Sequence, residues 1–242
     1  MAELKRKIDK FLLDWRNSKT RKPLIIKGAR QTGKTTSIEK FGKENYKSFI
    51  EINFVSMPEY KTIFNDGYTV DSIIKNISLH NGNFEFIPND TLIFFDEMQE
   101  FPDVATSLKF FCIDGRFDVI CSGSLMGINY QEIHSNSVGY KEDYTMRSLD
   151  FEEFLWAKGY KDEQIKDLYT FMKEVKPLTN TQYNVMMSNF NDYMITGGMP
   201  EVVSMFIDNK NFSGVLDKQK SLLLDYEEDI TKYAGGLDKS KI

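Results

Sequence analysis

The sequence predicts an α/β protein: a parallel β-sheet with helices on both faces, followed by an all-helical part. Three observations predict it. From Pro23 to about Leu149, short apolar runs alternate with helical patterns, as strand–helix units do. In the first of these units a glycine-rich loop, IIKGARQTGKTTS at residues 25–37, joins an apolar run to a helical one. After Asp150 the texture becomes a succession of helical stretches divided by Gly, Pro and Asn. The boundary therefore falls near 150, with residues 1–150 as the core and residues 151–242 as the helical part.

Taken in order, the apolar residues Leu4, Ile8, Phe11, Leu12 and Trp15 recur at helical spacing and predict an amphipathic helix with a lysine-rich outer face. It is assigned to the core. Strands are expected at residues 24–27, 48–54, 91–95, 117–121 and 144–149, and helices between them at 34–41, 70–79 and 104–111. The run Leu92-Ile93-Phe94-Phe95 does not alternate, which suits a central strand covered on both faces. Beyond 150, DFEEFLWAKGY, DEQIKDLYTFMKEV, TQYNVMMSNFNDYMI, PEVVSMFID and GVLDKQKSLLLDYEEDITKY each read as a helix.

Composition narrows the class. At 242 residues the chain suits one large domain or a core with an appendage. A net charge of −5 argues against coating nucleic acid through overall charge, although a local basic face is compatible with it. Two cysteines, Cys112 and Cys121, are too few for a disulfide framework and are read as reduced core residues, as in a cytoplasmic protein. The N-terminus has charges inside every apolar run, unlike a signal peptide. No run approaches the ~20 apolar residues needed to cross a bilayer. A soluble protein without a membrane partner is expected.

The chemistry concentrates in two places. Gly28-Ala29-Arg30-Gln31-Thr32-Gly33-Lys34-Thr35, with Thr36 beginning the helix beyond it, fits the phosphate-loop pattern at every defined position. Glycines let the backbone curl so that successive N–H groups face phosphate oxygens, and the helix that follows adds its positive end. Lys34 would reach the β- and γ-phosphates, and the Thr35 hydroxyl would coordinate Mg²⁺. In TLIFFDEMQE, residues 91–100, a buried strand ends at Asp96, where a carboxylate would hold the same Mg²⁺. Glu97 projects differently and would orient and polarise the attacking water, which points to hydrolysis. The strand predicted to end at Cys121 runs into Ser122-Gly123-Ser124, whose hydroxyls could hold the γ-phosphate or the lytic water. A Ser-Gly turn capping the next element reads nearly as well there.

Together these residues resemble the AAA_14 family of AAA-type ATPases, often found with a DUF4143 C-terminal region. The resemblance runs through PLIIKGARQTGKTT, Ile52 to Phe54, TLIFFDEMQEFP, SLKFF, SGSLMG, Val138 to Tyr140, LDFEEFLWAKG, GGMPEVV and DYEEDITKY. It implies a P-loop NTPase fold of the additional-strand class with a helical lid, hydrolysing Mg²⁺-ATP and coupling this to motion of lid against core. It also implies Ser122 as the sensor on the γ-phosphate with Ser124 in reserve, and Gly198 and Pro200 in GGMP close to the adenine. Where the family often carries Pro before the LDFEEF-like segment, this chain has Arg147 and Ser148. Residues 151–242 contain no arginine, so a lid arginine is excluded and an arginine finger would come from the core, Arg116 or Arg147. Arg30 is read as structural.

The last helix is expected to end near Tyr233, where Ala234-Gly235-Gly236 breaks it, and LDKSKI begins an element without completing it. The chain is therefore expected to belong to a longer protein. The resemblance implies a continuation through a winged-helix-like segment and a nuclease-like region that would supply a DNA or protein partner. Two other readings compete: a nucleotide-gated interaction module with little hydrolysis, and a small-molecule kinase. Glu97 beside Asp96 and the arginine-free helical part weigh against the kinase.

Overall fold

The computed structural model describes residues 4–124 and 137–233, with side chains to residue 228. Its described residues divide into two compact units, one formed by residues 11–146 and the other by residues 4–10 with 147–233.

The first unit is built on five parallel strands, β1 (Leu24–Gly28), β2 (Ser48–Asn53), β3 (Thr91–Asp96), β4 (Asp118–Ser124) and β5 (Glu142–Thr145), in the spatial order β2-β3-β4-β1-β5. The strand ending in the acidic pair is thus separated from the loop-bearing β1 by β4. All six residues of β3 are buried, as its unbroken apolar run requires of a strand covered on both faces. One face, with Ile25, Ile50, Ile52, Ile93, Phe95, Val119 and Cys121, packs on Ile73 and Ile77 of α3 (Val70–His80) and on Leu108 and Phe111 of α4 (Val104–Asp114). The other is covered by α2 (Lys34–Asn45), which buries Ile38 and Phe41. Phe41 meets the ring of Trp15 from α1 (Lys7–Asn17) at 6.4 Å.

Two differences from the sequence expectation have local causes. The last strand, expected at 144–149, lies at Glu142–Thr145, because it pairs in register with Leu24 to Lys27 and β1 ends as its loop begins. As an edge strand it tolerates the charges of Glu142 and Asp143, which hid its start from an apolar pattern. A 3₁₀ stretch at Pro58–Phe64, which buries Tyr60, Ile63 and Phe64, is too short to show a helical period.

The second unit holds α5 (Phe151–Ala157), α6 (Asp162–Lys173), α7 (Asn180–Thr196), α8 (Pro200–Asn209) and α9 (Val215–Tyr233). Its core is Leu149, Phe154, Val202, Val203, Phe206, Val215 and Leu222. A reciprocal capping box between Asp150 and Glu153 starts α5. The N-terminal residues, assigned to the core by sequence, group with this unit up to Lys10 because Arg6 reaches it. Its Nε is 3.1 Å from Glu153 Oε1, both side chains are buried, and another nitrogen of its guanidinium donates to the Arg147 carbonyl at 2.7 Å. Among the described residues no helix is long and apolar enough to cross a membrane. The expected break at Ala234-Gly235-Gly236 and the LDKSKI segment lie outside the described residues, as do Leu125 to Gly127 of SGSLMG.

Candidate functional site

The register of the parallel strands assembles the site at one edge of the first unit. Asn53 of β2 lies opposite Asp96 of β3, Phe95 opposite Cys121 of β4, and Gly28 of β1 opposite Ser124. The glycine-rich loop, the acidic pair and both serines therefore converge at the C-terminal ends of the strands, where ligands of open α/β sheets bind.

The loop is shaped by three backbone features. A Cβ at Gly28 would lie 2.3 Å from the carbonyl oxygen of Met146, so no side chain fits there. Gln31 and Gly33 both have positive φ, 60° and 91°, the left-handed backbone from which anion nests are built. Gly33 then caps α2, whose first turn is Lys34, Thr35 and Thr36 and carries no acidic residue. Thr32 Oγ1 closes the loop on the Ala29 carbonyl at 2.9 Å. Lys34 Nζ donates to the carbonyls of Gly28 (3.1 Å) and Ala29 (2.7 Å). Burial pushes its ammonium pKa below the usual lysine range, the charges of Glu97 and Asp96 oppose this, and the nearby Arg30 charge adds to it. Two cations converging in a shielded pocket form an electrostatic site for an anion.

Asp96 is buried and is the hub of the acidic side. Its Oδ2 accepts from the Thr35 hydroxyl at 3.1 Å and from Asn53 Nδ2 at 3.0 Å. Its Oδ1 accepts from the Glu97 N–H at 3.0 Å and from the Ser122 hydroxyl. Glu97 adopts a left-handed conformation (φ 56°, ψ 45°), which turns it out of the strand path. A cavity of about 180 Å³ is lined by Arg30, Gln31, Gly33, Lys34, Thr35, Thr36, Glu97 and Ser124. Whole-ligand pockets run from about 300 Å³ upward, so this space suits a phosphate chain whose base lies outside it.

The structure thus brings together Gly28, Ala29, Arg30, Gln31, Thr32, Gly33, Lys34, Thr35, Thr36, Asp96, Glu97, Ser122 and Ser124. The two serines differ in place. Ser122 stands behind the Asp96 carboxylate, whereas Ser124, the reserve candidate, lines the cavity itself. Gly198 and Pro200 belong to the other unit and have a packing role there. A Cβ on Gly198 would lie 2.1 Å from the Leu149 carbonyl oxygen, and Pro200 occupies the first turn of α8, where its missing N–H costs nothing. Arg116 is ion-paired to Asp71 (2.6 Å) and Asp114 (2.7 Å) beyond Asp118, the opposite end of β4, which is itself about 20 Å from Ser124 at strand rise.

Two residues escaped the sequence reading. Asn53 was visible only as part of the Ile52–Phe54 segment, and Gln99 only as part of TLIFFDEMQE. Asn53 binds Asp96 through its amide nitrogen, and its Oδ1 accepts from the N–H groups of Val55 (2.9 Å) and Ser56 (3.1 Å). Gln99 donates to the Glu97 carboxylate and accepts from the Ser124 N–H.

The donor set fits Mg²⁺ bound with a phosphate chain. Thr35 Oγ1 and the Asp96 carboxylate are hard oxygen ligands side by side, and Mg²⁺ takes few protein ligands when phosphates and water supply the others. Among the described residues no cluster of three or more His, Cys, Asp or Glu forms an alternative metal site.

The family model AAA_14, an AAA domain, matches residues 20–155, and a domain of unknown function, DUF8612, matches residues 187–242. No curated protein matches the sequence. Among solved structures, the chain is similar to Aeropyrum pernix ORC2 in its ADPNP–ADP complexes, at 16% identity and TM-score 0.43, covering 63% of this chain and 50% of that one. It is similar to a chain of Drosophila ORC bound to DNA, at 15% identity and TM-score 0.45, covering 89% and 66%. It is also similar to AMPPCP-bound DnaA from Aquifex aeolicus, at 12% identity and TM-score 0.46, covering 98% and 70%. The chain spans half to about two thirds of the length of the first two. At these identities the likeness is one of fold alone.

Proposed function

We propose that this chain, which belongs to the AAA_14 family of AAA domains, binds Mg²⁺-ATP in the loop cleft and hydrolyses its terminal phosphoanhydride bond. One observation carries the reading: Lys34, Thr35 and Glu97 line a single cavity at the strand ends, and Asp96 accepts from the Thr35 hydroxyl beside it. The loop N–H groups and the N-terminus of α2 would take the phosphate chain. Lys34 would leave the Gly28 and Ala29 carbonyls for phosphate oxygens, exchanging neutral acceptors for charged ones and so offsetting the desolvation of its ammonium. Thr35 and Asp96 would hold Mg²⁺, whose bound charge neutralises that developing on the β- and γ-oxygens. Asn53 and Ser122 keep the Asp96 carboxylate aimed at Thr35. Glu97 would accept a proton from the attacking water at its carboxylate, and Ser124, at the cavity wall, would contact the γ-phosphate or that water.

A glutamate placed to polarise water favours hydrolysis over transfer to a second substrate. Coupling of that hydrolysis to motion of the helical unit belongs to the same proposal. Phosphate release from ATP tests it, measured with Mg²⁺ and with excess chelator. Mg²⁺-dependent release that Lys34→Ala abolishes is the expected result. Unchanged release by that variant would refute the site assignment.

A further inference from the structure

We propose that Gln99 is a positioning residue that sets the direction of the Glu97 carboxylate by tying it to the tip of β4. The proposal rests on the reading of Glu97 as the base. Gln99 sits in the single 3₁₀ turn Met98–Glu100 that follows Glu97, and its side chain is buried. Its Nε2 donates to Glu97 Oε2, and its Oε1 accepts from the backbone N–H of Ser124 at 3.2 Å. The sense of the amide is forced, because an ionised carboxylate only accepts and a backbone N–H only donates.

Glu97 needs such a guide. Its left-handed backbone takes it out of the β3 pleat, so the alternation that aims Asp96 does not aim its neighbour. Glu97 and Ser124 line the same cavity. One buried amide therefore links the water-activating group to the wall that would face the γ-phosphate. A displacement of Ser124 would be passed to Glu97 through a side chain of fixed length.

The test is a cycle of four proteins: wild type, Gln99→Glu, Glu97→Gln and the double variant. Gln99→Glu keeps the acceptor for Ser124 but sets a like charge against Glu97. It should lower kcat about tenfold or more, the scale of a misplaced catalytic group. ATP affinity by calorimetry should stay within about threefold, which also reports that the loop is folded. In the Glu97→Gln background, the same substitution should cost little or nothing further, because the two residues act as one unit. An equal loss in both backgrounds would assign Gln99 a role independent of Glu97 and overturn the proposal alone, as would a wild-type rate for Gln99→Glu. A wild-type rate for Glu97→Gln would remove the base assignment itself, and this proposal with it.

Discussion

Lys34 holds its charge in a half-buried loop against two backbone carbonyls. Replacing it with alanine deletes the charge that phosphate oxygens would meet, so calorimetry should show most ATP affinity lost. Asp96→Asn keeps the shape of the hub but removes its charge, and the Mg²⁺ concentration needed for half-maximal hydrolysis should rise severalfold or more. The residues proposed for these roles were legible because their chemistry follows from linear spacing: a loop pattern between strand and helix, and an acid pair after four bulky apolar residues. Asn53, Gln99 and the division of labour between Ser122 and Ser124 were not, since each depends on which strands are neighbours. Two residues apart on one strand, the serines share a face, so only the β3–β4 register decides which meets Asp96.

At the scale of the elements, helix α5 is fastened at its start. Glu153 completes a capping box with Asp150 while accepting from Arg6 Nε and from the Lys7 N–H at 2.7 Å. With both side chains of the Arg6–Glu153 pair only 7% and 6% exposed, Arg6→Ala leaves a buried carboxylate without its counter-charge. Equilibrium denaturation should show a loss of about 3–5 kcal/mol. Gly198→Ala drives a Cβ into the Leu149 carbonyl, whose residue also donates its N–H to the Gly198 carbonyl at 2.7 Å. Overpacking against backbone should cost about 1–3 kcal/mol and lower the Tm. In the GGMP segment the sequence alone does not separate two readings, because a ligand-facing motif and a tightly packed helix junction use the same residues. The edge strand β5 shows another, because a strand paired on one side carries charges that erase the apolar signature.

For the whole molecule, the strand order β2-β3-β4-β1-β5 is what turns scattered motifs into one site. It places β4 between the loop strand and the acidic strand, so that Ser122 and Ser124 fall between Asp96 and the phosphate loop. The α/β core and its all-helical companion were readable from the alternation of strand and helix patterns and the run of helical stretches after it. That the first residues group with the helical unit was not, because their amphipathic pattern is the same whichever core receives it. The central claim is that Glu97 activates water for hydrolysis of ATP bound by the loop. Single-turnover γ-phosphate release by wild type and Glu97→Gln, both loaded with Mg²⁺-ATP to the same calorimetric occupancy, tests it most directly. The account predicts unchanged occupancy and a hydrolysis rate lower by ~10²-fold or more, the scale of a lost general base; equal rates at equal occupancy would contradict it.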